Sequence, residues 1–465
     1  MSKKDMSELR KKESESKSWG IVGGGIMGMT LALRLAQEGH QVTIYEAGPE
    51  LGGLVSSWKM GNVEWDKFYH VILLSDFRTR NILKEIGVED KIHWIETKTG
   101  FYMNGKLHSM SDTIEFLKFP TLNLIDKFRL GLTIIVASRI KNWKRLEKIP
   151  VTTWLKKWSG KNTYQKIWLP LLRAKLGESY KQTSAVFIWA TIQRMYGARR
   201  SGLKKEMFGF VDGGYKTVIE SFKQTLVNNG VNIKTSCAVT EVLSKGLNKP
   251  VVKMSDGLSE QHDEVIVTLP SGIASKLCTD LQESEKEKLN GIDYLGVICV
   301  AVLLDKSISD FYVTNITDTW VPFTGIIEMT ALVDKKYLDG KALVYLPKYV
   351  VKDDPLYNES DDYLKSYFID NLKKMYPVIS DHNIQFVGVA KAKHVITVAK
   401  LNYSELLPAI ETSSPNVYVI NTSHIKDGTL NVNETVRVAE DKLQELLSAS
   451  SLSLPNKKQH SFHPD

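Results

Sequence analysis

The sequence predicts an α/β fold in which a parallel, nucleotide-binding type of sheet is joined to a mixed α+β portion. Three observations carry this. A short apolar strand at Trp19–Val22 runs into a glycine-rich turn, a helical stretch and a second strand that ends at an acid. A long helical, basic region follows. Strand-rich sequence then fills about 292 to 350. Strands alternating with helices argue for a layered α/β core.

The elements follow in order. Residues 1–17 are charged, lack an apolar h-region and read as a solvated tail; 448–465 read the same way. After the first strand come Gly23, Gly24, Gly25 and Gly28. Met27 to Gln37 has helical apolar spacing, Gly39-His40 closes it, and Gln41–Tyr45 is a second strand followed by Glu46. This is a β-α-β unit. Gly23 allows the tight turn, Gly25 lets backbone approach a pyrophosphate, and Gly28 lets helix and strand pack closely. The helix N-terminus offers free N–H groups to phosphates. Glu46, 18 residues past Gly28, can accept hydrogen bonds from ribose hydroxyls and would repel a 2′-phosphate, which disfavours NADP.

Residues 112–204 read as mostly helical, punctuated by Pro120, Pro150 and Pro170. Gly213-Gly214 opens a helix over about 215–228. Strands are expected at 231–242, 250–254 and 264–269, the last stopped by Pro270. A helix over 361–376, a strand at 417–420 and a helix over 433–447 complete the chain.

Of the 465 residues, 43% are hydrophobic and 25% charged, which excludes a mostly disordered chain and a multi-span membrane protein. The net charge of +8 is unevenly spread. Between Lys118 and Lys205 there are 20 lysines and arginines but three acids, Asp126, Glu147 and Glu178. Such a block attracts lipid headgroups, nucleic acid or an anionic substrate. Cys237, Cys278 and Cys299 are far apart and suggest reduced thiols in a cytoplasmic protein. No spacing suits a metal, and no nucleic-acid motif is present.

The run Glu46-Ala47-Gly48-Pro49-Glu50-Leu51-Gly52-Gly53 resembles an extended flavin fingerprint, in which a second Gly-Gly follows the ribose acid. With it, the chain is similar to the FAD-dependent amine-oxidase superfamily, which includes protoporphyrinogen oxidases, phytoene-type desaturases and UDP-galactopyranose mutases. Asp212-Gly213-Gly214-Tyr215, Val231–Lys234, Val239–Val242, Asp263–Pro270, Val417–Ile420 and the helix at Asn433 extend the likeness over nearly the whole chain. The resemblance implies a Rossmann-like FAD-binding domain assembled from 18–80, 206–290 and 395–447. The substrate domain would come from 81–205 and 291–394. It implies FAD held non-covalently by Gly23, Gly24, Gly25, Gly28, Glu46, Ala47, Gly52, Gly53, Leu54, Val239, Asn421 and Thr422. Two departures stand out. Glu50 and Leu54 take places where relatives often carry arginine, and Asn421-Thr422 stands where they often carry Gly-Asp.

Catalytic candidates are His70, Tyr69 and Arg194. Trp65–His70 resembles the stretch passing beside the flavin, where His70 could sense flavin charge or donate near N5; the alternative is a histidine bridging strand backbone. Arg194, Arg199 and Arg200 form an arginine cluster, either a clamp for an anionic substrate or a solvated helix end. Phe128–Lys148 mixes apolar and basic residues. It could rest on an anionic membrane from the cytoplasmic side, within a wider contact through 118–205, or cover a core. The expected function is an FAD-dependent oxidoreductase taking hydride from a bulky substrate, lipophilic, amphipathic or anionic. The alternatives are a mutase-like enzyme acting on a nucleotide sugar and a non-catalytic flavin-binding partner.

Overall fold

The computed structural model describes residues 16–111, 113–197 and 206–452. Five parallel strands form the first sheet, in the order Asn232–Lys234, Gln41–Tyr45, Ser18–Val22, Glu264–Val267 and Val417–Val419. Numbered along the chain this order is 3-2-1-4-5, so the connections reverse direction on either side of Ser18–Val22. Ligands of such sheets bind in the crevice at that switch point, beyond the carboxyl ends of the strands. The helix Ile26–Gln37 has nine buried residues because it lies between this sheet and the helix Val432–Leu452. A helix apolar on nearly every side needs cover on both.

The second sheet is mixed and seven-stranded. Its order is Ile384–Thr397, Tyr294–Leu304, Ala342–Val350, Gly325–Glu328, Val313–Ile316, Thr99–Met103 and Lys106–Ser109. Tyr294–Leu304 is buried along all eleven residues. Alternation explains its unbroken apolar sequence. Ile298, Val300 and Val302 face the helix Asp361–Met375, while Val297, Cys299 and Ala301 face Trp65, Phe208 and Phe210 on the nucleotide side.

The region after residue 112 folds as helices Thr113–Lys118, Leu124–Arg139, Val151–Thr163, Leu169–Leu176 and Val186–Gly197. Pro170 does not break its helix. A π-helical turn at Tyr164–Trp168 precedes it, and the proline takes an early helical position where a missing N–H costs little.

Several boundaries differ from the sequence reading. Ser16 and Lys17 are held: the Ser16 hydroxyl donates to Gly39 O, and Lys17 pairs with Glu264 at 2.5 Å. The last helix runs to Leu452, past 447, so its final turn lies within the stretch read as tail. The remainder of both tails lies outside the described residues. Residues 231–242 form two strands in different sheets. The chain leaves the parallel sheet after Lys234, turns at Ser236 with φ of 52°, and enters an antiparallel sheet at Val239–Leu243. Ile82, Leu83, Ile86 and Val88 pack into the nucleotide-side core, which thus continues beyond residue 80. The strand Ile384–Thr397 keeps residues 395–397 in the second sheet.

Candidate active site

The glycine turn sits at the switch point. Gly23 has φ of 110°, its N–H donates to Tyr45 O at 2.9 Å, and a Cβ there would lie 2.5 Å from Thr268 Oγ1. A Cβ on Gly28 would fall 1.9 Å from the Gly23 carbonyl oxygen, so the helix can approach the strand only as glycine. Gly25 differs: a Cβ there meets nothing within 4 Å. It is the N-cap of Ile26–Gln37, without a side-chain cap, so the helix start is open on the Gly25 side.

Glu46 is locked by two backbone donors. Gly24 N–H reaches Oε2 at 2.8 Å and Gly48 N–H reaches Oε1 at 2.7 Å, leaving each oxygen a further lone pair. Gly52 N–H donates to Gly24 O at 2.9 Å, and Gly52 bridges Gly25, so the second Gly-Gly lies directly beside the first. Glu46 N–H donates to Lys234 O, and Cys237 N–H to Glu46 O at 2.8 Å, which lays the approach to half-buried Val239 along the same edge. Ala47 and Gly53 are exposed at this edge, and Leu54 is half-buried. An open anion cradle, an oriented carboxylate and two abutting glycine pairs fit a dinucleotide.

Asn421 is occupied otherwise. Its carboxamide oxygen accepts from Ser423 N–H and hydroxyl at 2.9 and 2.7 Å, and its nitrogen donates to Leu269 O at 2.9 Å and Ser271 Oγ at 3.2 Å. It stitches the ends of two strands together, with its hydrogen-bonding capacity directed inward. Half-buried Thr422 opens the short 3₁₀ turn that follows.

The expected catalytic residues gather where the two sheets meet. His70 Nδ1 lies 3.8 Å from Asp66 Oδ2, and its ring is 5.0 Å from that of Tyr215. Asp66 also accepts from Tyr215 N–H at 2.9 Å, and its backbone carbonyl from the Tyr345 hydroxyl at 2.5 Å. Tyr69 and Tyr349 share a hydroxyl–hydroxyl hydrogen bond of 3.0 Å. Burial, then Tyr349, pushes the Tyr69 phenol well above its ordinary range, so it stays protonated. Arg194 donates to Asp76 Oδ2 at 3.1 Å, and Asp76 also accepts from Leu73 N–H. Burial raises the Asp76 carboxyl against the pull of Arg194. Arg199 and Arg200 lie outside the described residues.

Sequence reasoning missed Asp66, Asp76 and Tyr215. Tyr215 had a signal, since it directly follows Gly213-Gly214. Asp66 lay within the Trp65–His70 stretch, four residues before His70, whereas Asp76 had no signal because its partner Arg194 is 118 residues away. Among the described residues no three His, Cys, Asp or Glu side chains come together to hold a metal ion.

The family model for flavin containing amine oxidoreductases matches residues 26–462. The chain belongs to that family. It is an FAD-dependent oxidoreductase, and its glycine turn and Glu46 have the chemistry to hold the adenosine diphosphate half of the cofactor. A zeta-carotene desaturase of Synechocystis is 22% identical over 424 residues, covering 80% of this chain and 85% of the relative. A solved protoporphyrinogen oxidase, so described, from Exiguobacterium has the same fold. Its TM-score is 0.70 at 18% identity, over 94% of this chain and 99% of that one. A reduced UDP-galactopyranose mutase gives 0.72 at 14% identity, over 93% and 96%.

Proposed function

We propose that this flavoenzyme oxidises a bulky, lipophilic or amphipathic substrate by hydride transfer, as desaturases and protoporphyrinogen oxidases do. The observation that carries this reading is the aromatic wall near His70. Trp65, Phe210 and Tyr215 line the crevice with His70, backed by the buried Tyr312, Tyr345 and Phe208 and by Tyr69, and Arg194 is paired with Asp76. Such a wall suits a polyene or fused-ring substrate, and Arg194, the one member of the arginine cluster among the described residues, is already paired with Asp76. The desaturase likeness over most of the chain supports the same reading.

When bound, FAD supplies a two-electron hydride acceptor. The protein's part is positioning. The start of the helix at Gly25 would hold the pyrophosphate, and Glu46 would fix the ribose. The aromatic wall orients the substrate and keeps water out. Asp66 lies 3.8 Å from His70 Nδ1, and the buried Tyr69 phenol stays protonated and adds no charge to the wall.

A mutase-like reading is favoured by the pairing of His70 with Asp66 and by the likeness to the mutase fold. Anaerobic mixing separates the two. Bleaching of oxidised flavin by a polyene or a porphyrinogen supports the proposal. Conversion of UDP-galactopyranose by the dithionite-reduced protein, with no bleaching by lipophilic donors, would replace it.

A further inference from the structure

The helix Leu124–Arg139 is apolar on two opposite sides. Leu130, Thr133 and Ala137 are buried against the neighbouring helices. Leu124, Ile125, Phe128, Leu132 and Ile135 fall on the other side, in a stripe about 100° wide at 3.6 residues per turn. All five are exposed, the first three at 74%, 71% and 73%. Leu117, on the preceding helix, is exposed as well. Scattered exposed leucines are ordinary, but six on adjoining elements form a patch of the kind that marks an interaction surface.

The charge around the stripe is one-sided. Lys118, Arg139, Lys141, Lys144, Arg145 and Lys148 are exposed. The three acids between 118 and 181 are all engaged. Asp126 is buried and accepts from Asn162 at 2.5 Å. Glu147 is buried and accepts from Ser404 N–H and hydroxyl at 2.6 Å each. Glu178 pairs with Lys181 at 2.6 Å. The helix's own central cations point away from the stripe. Lys127 donates to Leu117 O at 2.6 Å, and Arg129 to Trp158 O and Lys157 O at 3.2 and 2.8 Å.

We propose that this face docks on an anionic lipid surface, with the stripe at the acyl boundary and the flanking lysines and arginines at headgroups. A second copy of the chain is a poorer occupant, because it would bring the same cations against themselves. No helix among the described residues is long and apolar enough to cross a membrane, so docking would be in the interface plane. The far end of this helix is tied to the helix Val186–Gly197. Ala137 O and Ile140 O accept from Gln193, the neighbour of Arg194.

The proposal is independent of which substrate is oxidised, and its test needs no turnover. The flavin-loaded full chain is co-sedimented with vesicles of phosphatidylcholine alone and of phosphatidylcholine mixed with phosphatidylglycerol. Binding to the mixed vesicles, reduced by high salt, is expected. The pair Ile125→Ser/Phe128→Ser should weaken it about tenfold or more while keeping the flavin spectrum. Lys141→Glu/Lys144→Glu leaves the stripe intact and should also weaken it, which covers misfolding of the first pair. Failure of the parent protein to bind either vesicle would overturn the proposal, as would equal binding by both variants. A lipid-free dimer abolished by the serine pair would assign the stripe to a second copy instead.

Discussion

Gly25 and Gly28 look alike in sequence and have separable roles. A Cβ on Gly28 collides with the Gly23 carbonyl, so Gly28→Ala should cost several kcal/mol of stability along with the flavin. A Cβ on Gly25 meets only open space, so Gly25→Ala should lose FAD while changing stability by about 1 kcal/mol or less. Thermal melts of the apoproteins and flavin titration separate the two. Glu46→Gln places an amide NH₂ opposite one of the two N–H donors and should weaken FAD binding about tenfold or more. Flavin fluorescence on titration reads this. His424 provides a pH test. Burial pushes its imidazole down to about 4. The unfolded histidine titrates near 6.5, so between about pH 6.5 and 4 the unfolded chain binds more protons and stability falls with pH. The loss should approach about 3 kcal/mol. Melting curves from pH 7 to 4.5 should show a flatter slope for His424→Gln.

Among the elements, the strut between Val186–Gly197 and the loop before Phe77 decides what Arg194 does. Removing it would leave Asp76, 5% exposed, without its cation. Arg194→Ala should therefore destabilise the fold by about 3 kcal/mol at neutral pH, less once Asp76 is protonated. An altered KM with an unchanged melting temperature would restore the substrate clamp. Elements with strong local patterns were legible in sequence. The β-α-β unit, the helix after Gly213-Gly214 and the apolar strand Tyr294–Leu304 each announce themselves through turn chemistry or periodicity. What stayed illegible depends on contacts between distant residues. The pairing of Arg194 with Asp76 spans 118 residues. The inward commitment of Asn421 depends on Leu269 and Ser271. The apolar run Leu130–Ala137 gave no sign of which side of its helix is buried, because both sides are apolar.

At the scale of the molecule, the strip of chain from Trp65 to Leu73 packs into both cores, Ile72 into the nucleotide-side cluster and Trp65, Tyr69 and Leu73 into the cluster under Val297, Cys299 and Ala301, so nucleotide site and aromatic wall adjoin. The sequence likeness anticipated that the nucleotide-side sheet is built from separated pieces, since each strand carries its own local signature. It could not place the exact joins, because residues 82–88 choose their core by packing. The central claim is that this arrangement oxidises a lipophilic donor. Its most direct test is anaerobic titration of the purified, FAD-loaded protein with a carotenoid-type polyene in detergent micelles, followed by absorbance. Stoichiometric bleaching of the oxidised flavin, with desaturated product recovered, is the expected result. A flavin untouched by lipophilic donors but active on UDP-galactopyranose once reduced would contradict the account.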